Sequence, residues 1–116
     1  MQNKKETALI TGGAGFIGSH MADLLLKKNF SVIIIDNLSG GHLKNIHHNL
    51  KNITFIRDDI LRINKYYKKL KEVNYVYHFA GRGDIVPSIE KPHDYFNINV
   101  MGTVAVLDLC RKLKKL

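Results

Sequence analysis

Cysteine occurs once in this chain of 116 residues and proline only twice. A lone cysteine, Cys110, excludes an internal disulfide and fits a reducing compartment. It falls inside a helical apolar pattern, which reads it as a small core residue. No apolar run approaches the roughly 20 residues that a membrane-spanning helix needs. The opening stretch, Met1-Gln2-Asn3-Lys4-Lys5-Glu6, lacks the layout of a secretory leader. A cytoplasmic protein with no membrane partner is expected. Acidic side chains are also scarce, ten against eighteen lysines and arginines, for a formal charge of +8. Such an excess raises the question of nucleic acid. The lysines are scattered, however, and the one dense cluster, Arg111-Lys112-Leu113-Lys114-Lys115, falls where a helix ends and cations complement its dipole. With no aromatic-studded basic strand or recognition helix, no nucleic-acid partner is expected. His47-His48 lack the spacing and the further ligands of a zinc site, so no metal is expected either.

What the chain does have is alternation. Thr7 to Thr11 reads as a short apolar strand, and Phe16, Ile17, Met21, Leu24 and Leu25 fall at helical spacing up to about Lys28, where Asn29 closes the helix. Ser31 to Ile35 is a continuous β-branched run of the kind buried on both faces of a parallel sheet. Asp36 to about Leu50 reads as loop or short helix, and Ile53 to Arg57 as a third strand. A lysine-rich surface helix is expected from about Leu61 to Lys71, and a fourth strand from Asn74 to Phe79. A long helix from about Asp94 to Lys112 is apolar on most sides. Phe96, Val100, Val104 and Leu107 mark one side; Ile98, Met101, Ala105 and Leu109 mark the other. A helix of that kind is buried twice over. Strands separated by helical crossovers make an α/β fold, a doubly wound parallel sheet with strand order 3-2-1-4 and strand four at an edge.

The stretch LITGGAGFIGSH, Leu9 to His20, supplies the chemistry. Gly13-x-Gly15-x-x-Gly18 between a strand and a helix is the context of a dinucleotide fingerprint. A tight turn there delivers backbone N–H groups and a helix N-terminus to a pyrophosphate, and the missing Cβ atoms let the phosphates approach. An acidic residue is then needed at the end of strand two, and Asp36 stands there. Its carboxylate accepts hydrogen bonds from ribose hydroxyls and would repel a 2′-phosphate, so the expected cofactor is NAD rather than NADP.

The segments TGGAGFIGSH, DNLSGG, DDI, HFAG and PSIEKPHDYFNINVMGT follow one another at intervals that resemble the extended short-chain dehydrogenase/reductase family, in particular its NAD-dependent nucleotide-sugar epimerases. The resemblance runs from Thr7 to Arg111 and covers the N-terminal part of such an enzyme. It implies an NAD(P)-binding Rossmann domain over residues 1–116. It implies that Gly12, Gly15, Phe16, Ile17 and Gly18 cradle the pyrophosphate and that Asp36, Asn37 and Ser39 hold the adenosine ribose. Asp59 and Ile60 would flank the adenine, while Phe79, Ala80 and Gly81 would line the dinucleotide cleft. Asn99 would steady the loop after strand four. Asp59 also lies past the carboxyl end of strand three, where parallel sheets bind ligands.

The family pattern is departed from twice. Asp58 stands where glycine is common, and Arg82-Gly83-Asp84 replaces a stretch that often carries a lysine. The substrate implied is a nucleotide sugar, with a 4,6-dehydratase as the alternative reaction. A stand-alone dinucleotide-binding module is the alternative of another class. The family's base, the tyrosine of a Tyr-x-x-x-Lys helix, is not expected within these residues. Tyr67 to Lys71 fits that spacing but sits on a crossover away from the nicotinamide end, and His78 reads as a packing residue. A homodimer through the helix from about Asp94 to Lys112 is expected by the same resemblance.

Overall fold

Short apolar runs become a parallel sheet with helices on both faces in a computed structural model that describes residues 5–116. β1 (Thr7–Thr11), β2 (Ser31–Ile35), β3 (Ile53–Ile56) and β4 (Tyr75–His78) form the sheet in the order β3-β2-β1-β4, as expected. Thr11 pairs with Ile35 on one side and His78 on the other, and Ile35 pairs with Ile56. All four strands therefore end in one row, and the loops that follow share one edge.

Side chains of successive strand residues leave on opposite faces. Ala8 and Ile10 meet Val32, Ile34, Ala22 and Leu25 under α1 (Phe16–Lys27). Leu9 meets Ile35, Ile56, Ile63, Leu70, Val106, Leu109 and Leu113 on the other face. Each fully buried leucine or isoleucine contributes roughly 1.5–3 kcal/mol. α1 ends as its sequence implies: Asn29 takes a left-handed φ of +67°, and Phe30 N–H returns to the Leu25 carbonyl at 3.0 Å.

The crossover after β3 differs from the surface helix expected over Leu61 to Lys71. A 3-10 helix spans Ile60–Tyr66, and only Tyr67–Leu70 (α2) is α-helical. Ile60 and Ile63 are buried and Tyr66 half-buried, a spacing of three that eclipses on a 3-10 helix and puts all of them on the core.

The long C-terminal helix is also not uniform. After α3 (Ile85–Glu90), α4 (Pro92–Phe96) starts two residues earlier than the expected Asp94, with proline at its first position, where the missing N–H costs nothing. A π-helical turn over Asn97–Met101 then joins it to α5 (Gly102–Lys112). The extra residue shifts the helical phase. The buried face is Gly102, Val106, Leu109 and Leu113; of the row expected on that side, Leu109 is buried, Ile98 and Ala105 are half-buried, and Met101 is exposed. Phe96, Val100, Val104 and Leu107 all face outward. Cys110 is half-buried rather than in the core.

Gly18 is where α1 presses on the first turn: a Cβ there would run into the Gly12 carbonyl oxygen and lie 2.8 Å from Gly13 Cα. These are backbone atoms that cannot step aside. Gly18→Ala is expected to cost at least about 1–3 kcal/mol, in the range of overpacked cores, read as a lowered midpoint in thermal or urea unfolding.

Candidate functional site

The row of strand ends opens into a cleft of about 470 Å³. Its floor is the turn between β1 and α1. Gly12 has φ +67°, and a Cβ on it would lie 2.7 Å from Ala80 N, so the turn runs backbone against backbone past the end of β4. A Cβ on Gly13 would meet the Ile34 side chain at 2.6 Å. Gly12, Gly13 and Gly18 are thus required by the fold. Gly15 is different. A Cβ there would meet only the Gly12 carbonyl, at 3.3 Å, which a shift of a few tenths of an ångström relieves, and it lines the cleft. Gly15 caps α1 with extended backbone, and no side-chain bond caps it. The first N–H groups of an α-helix have no partner within the helix, so α1 offers those of Phe16, Ile17 and Gly18. Their side chains behave differently: Phe16 and Ile17 point outward, 77% and 65% exposed, and Gly18 is buried under the turn.

Asp36 ends β2 with only 8% of its surface exposed. One carboxylate oxygen accepts from Ala14 N at 3.0 Å, the other from Leu38 N at 2.8 Å. The first bond ties the glycine turn to β2; the second, with Asn37 Oδ1 accepting from Ser39 N at 3.0 Å, holds Leu38 at a left-handed φ of +63°. A carboxylate offers about four lone-pair positions, so two bonds leave acceptor capacity on the cleft side. Asn37 and Ser39 line the cleft beside it.

Asp59 and Ile60 form the wall after β3, and Phe79, Ala80 and Gly81 the wall after β4. Asn99 lies behind that second wall rather than in it. Its Oδ1 accepts from Arg82 N at 2.8 Å, and its Nδ2 donates to Arg82 O at 2.9 Å, so one side chain of the π turn pairs with both backbone groups of the residue after Gly81. His78 connects the same elements from inside. Thr103 Oγ1 donates to the Asn99 carbonyl at 2.6 Å, so it must accept from His78 Nε2 at 3.0 Å. Burial favours the neutral ring, in which Nδ1 accepts the hydrogen bond that the Thr11 hydroxyl donates at 2.6 Å, while Thr11 Oγ1 accepts from Ala80 N at 3.1 Å. The imidazole is neutral and protonated on Nε2, and it links β1, β4 and the helix. Burial pushes its pKa below the ordinary value.

Sequence reasoning missed several contributors. Gly41 is buried where a Cβ would lie 2.8 Å from Asp36 Oδ2, and Asn45 Nδ2 donates to the Ala14 carbonyl at 2.8 Å; the Gly40-Gly41 pair was the available signal. Asp58 lines the cleft and binds Arg62 and Tyr66 across the start of the 3-10 helix; its place beside Asp59 was the only available signal. Tyr67 packs against the core at the start of α2. Among the described residues no group of His, Cys, Asp or Glu side chains is arranged to hold a metal, and no helix is long and apolar enough to cross a membrane.

Comparison with known proteins places this geometry. The family model for GDP-mannose 4,6 dehydratase matches residues 9–116. A putative UDP-glucose 4-epimerase of Methanocaldococcus jannaschii is 42% identical over 107 residues, which is 90% of this chain and 33% of that protein. UDP-glucuronic acid decarboxylase 1 of Arabidopsis thaliana is 36% identical over 95% of this chain and 25% of its own. The crystal structure of UDP-glucose 4-epimerase from Brucella ovis in complex with NAD superimposes with a TM-score of 0.83 at 35% identity, covering 95% of this chain and 33% of that one. The chain thus spans about a third of the length of the epimerases it matches.

The His78 relay has a pH signature. Its folded pKa lies below the unfolded value near 6.5, so the fold favours the neutral ring; that stability is complete above about pH 6.5 and lost as pH falls through the folded value. The thermal midpoint is expected to drop on acidification from about pH 7 to 5, with a shallower slope in His78→Gln. Equal slopes for the two proteins would contradict the relay.

Proposed function

The chain belongs to the extended short-chain dehydrogenase/reductase family of NAD-dependent epimerases and dehydratases, and from that premise we propose that it forms the NAD-binding part of a nucleotide-sugar 4-epimerase of the UDP-glucose 4-epimerase kind. The observation that carries the reading is Gly15, the one glycine of the turn whose missing side chain the packing of the fold hardly requires and which opens on the cleft. Space there, beside uncapped N–H groups at the start of a helix, suits a pyrophosphate.

In this reading the turn Gly12 to Gly18 holds the pyrophosphate through the amides of Phe16, Ile17 and Gly18, and Gly15 gives it room. Asp36, already fixed by two backbone bonds, accepts from the adenosine ribose, with Asn37 and Ser39 beside it. Asp59 and Ile60 flank the adenine. Phe79, Ala80 and Gly81 line the nicotinamide half, and Asn99 holds the following loop in place through Arg82. When bound, NAD would supply the redox chemistry, reversible acceptance of a hydride from C4 of the sugar. The cleft residues bind and orient; the hydroxyl proton is assigned to the family's Tyr-x-x-x-Lys pair, which these residues do not provide. A sugar-nucleotide 4,6-dehydratase is the second reading, favoured by the matching family model and by Arg82-Gly83-Asp84 in place of the epimerases' lysine.

The outward row Phe96, Val100, Val104 and Leu107 on α4 and α5 supports a homodimer, because an apolar stripe on a helix is stable when another helix covers it. Sedimentation equilibrium is expected to give twice the monomer mass, and Val104→Glu to return the monomer; a monomer at high concentration in the parent chain would remove this part of the reading.

Calorimetric titration tests the site. NAD is expected to bind saturably and NADP at least about tenfold more weakly, a difference of about 1.4 kcal/mol. Gly15→Ala should lose at least about tenfold in NAD affinity while its melting temperature stays close to the parent's, in contrast to Gly18→Ala. Absent binding at millimolar NAD by folded protein would defeat the proposal.

A further inference from the structure

The cofactor reading gives no task to Asp58, although it lines the cleft. Its carboxylate turns away from the opening and into the 3-10 helix that follows. It accepts from Asp59 N at 2.7 Å, from Arg62 Nε at 2.6 Å and Nη2 at 2.5 Å, and from the Tyr66 hydroxyl at 2.5 Å; Lys65 Nζ stands 3.7 Å away. Every partner lies within the next eight residues, so the side chain binds together the turn that begins at Asp59. The bonds from Tyr66 and Arg62 hold its carboxyl well below the usual carboxylate range.

The two residues immediately after it are the wall of the cleft. Asp59 accepts from Leu61 N at 2.9 Å with one oxygen and lies 3.5 Å from Asn37 Nδ2 with the other. Ile60 is buried and fills the notch left by Gly102: a Cβ there would lie 3.0 Å from Ile60 Cγ1 and closer still to Cδ1. Residues 59 and 60 are therefore gripped from both sides, by the Asp58 bonds on the outside and by Gly102 on the inside. A carboxylate that is to meet one edge of a planar base needs this kind of fixing, because hydrogen bonds weaken steeply with misalignment.

We propose that Asp58, through Arg62 and Tyr66, is a positioning residue that aims Asp59 at the exocyclic group of the bound purine and so makes the cleft select an amino group there over a carbonyl. The proposal rests on the dinucleotide reading above. The chemistry is one-sided. A carboxylate accepts from the 6-amino group of adenine, whereas the 6-carbonyl of hypoxanthine presents lone pairs to the same oxygens, and a mismatched polar pair in a binding site is penalised strongly. Arg62 and Lys65 offset the charge of Asp58, so the wall presents the carboxylate of Asp59 alone to the cleft.

The test compares NAD with nicotinamide hypoxanthine dinucleotide, measured by calorimetry on the full chain. The parent is expected to prefer NAD by at least about tenfold, equivalent to about 1.4 kcal/mol. In Asp58→Asn, which keeps the shape but loses the charge that binds Arg62, the preference is expected to fall to within about threefold of parity, with Tyr66→Phe in between. A merely structural role would weaken both dinucleotides together and leave their ratio unchanged, and that result overturns the proposal. If Asp58→Asn fails to fold, Tyr66→Phe and Arg62→Gln read the same ratio, and an unchanged ratio in both overturns it equally. Equal binding of the two dinucleotides by the parent overturns this inference while the dinucleotide reading stands; no binding of either overturns both.

Discussion

The backbone of the first turn comes into direct contact with two other stretches of backbone, and most of the molecule is arranged around that closeness. Gly12 lies against Ala80 at the end of β4, and its carbonyl lies over Gly18 in the first turn of α1. Side chains at these positions would push the helix off the sheet and close the gap between the strand ends. Because the strands finish in register, the turn, the loop after β2 and the walls after β3 and β4 all meet at one edge. The cleft follows from the sheet's register and needs no separate invention.

Asp36 is a structural tie that also lines the cleft. Its two backbone bonds fasten the glycine turn and the Asp36-to-Gly41 loop to the sheet, and the oxygens that make them keep lone pairs toward the cleft. A neutral substitute would loosen the turn and change the charge of the cleft together. Gly15 escapes that entanglement, since the fold needs little from it, and so it separates the two contributions cleanly.

The sheet was legible because its signals are local. β1 and β2 have the limits read from their apolar runs, and strand order follows from helical crossovers and their handedness. The positions of Gly12, Asp36, Asp59 and Ala80 around one opening could also be anticipated, since motif spacing fixes which strand end each one occupies. Irregular helices were not legible. The 3-10 form over Ile60–Tyr66 depends on Asp59 capping Leu61 and on Asp58 holding Arg62 and the Tyr66 hydroxyl, polar bonds that apolar periodicity does not register. The π turn over Asn97–Met101 accompanies an asparagine that reaches across to Arg82, and periodicity has no register for an added residue. Asn99 was therefore readable as a partner of the loop, while the phase of the helix around it was not.

The relay through His78 runs in one direction, from Ala80 N–H through the Thr11 hydroxyl to Nδ1, and from Nε2 through the Thr103 hydroxyl to the Asn99 carbonyl. Neither ring nitrogen has a free lone pair or an idle hydrogen to exchange. An imidazole one residue before the cleft wall at Phe79 is thereby committed on both sides to holding strand, loop and helix together, and the wall inherits its rigidity from a ring that never faces the opening.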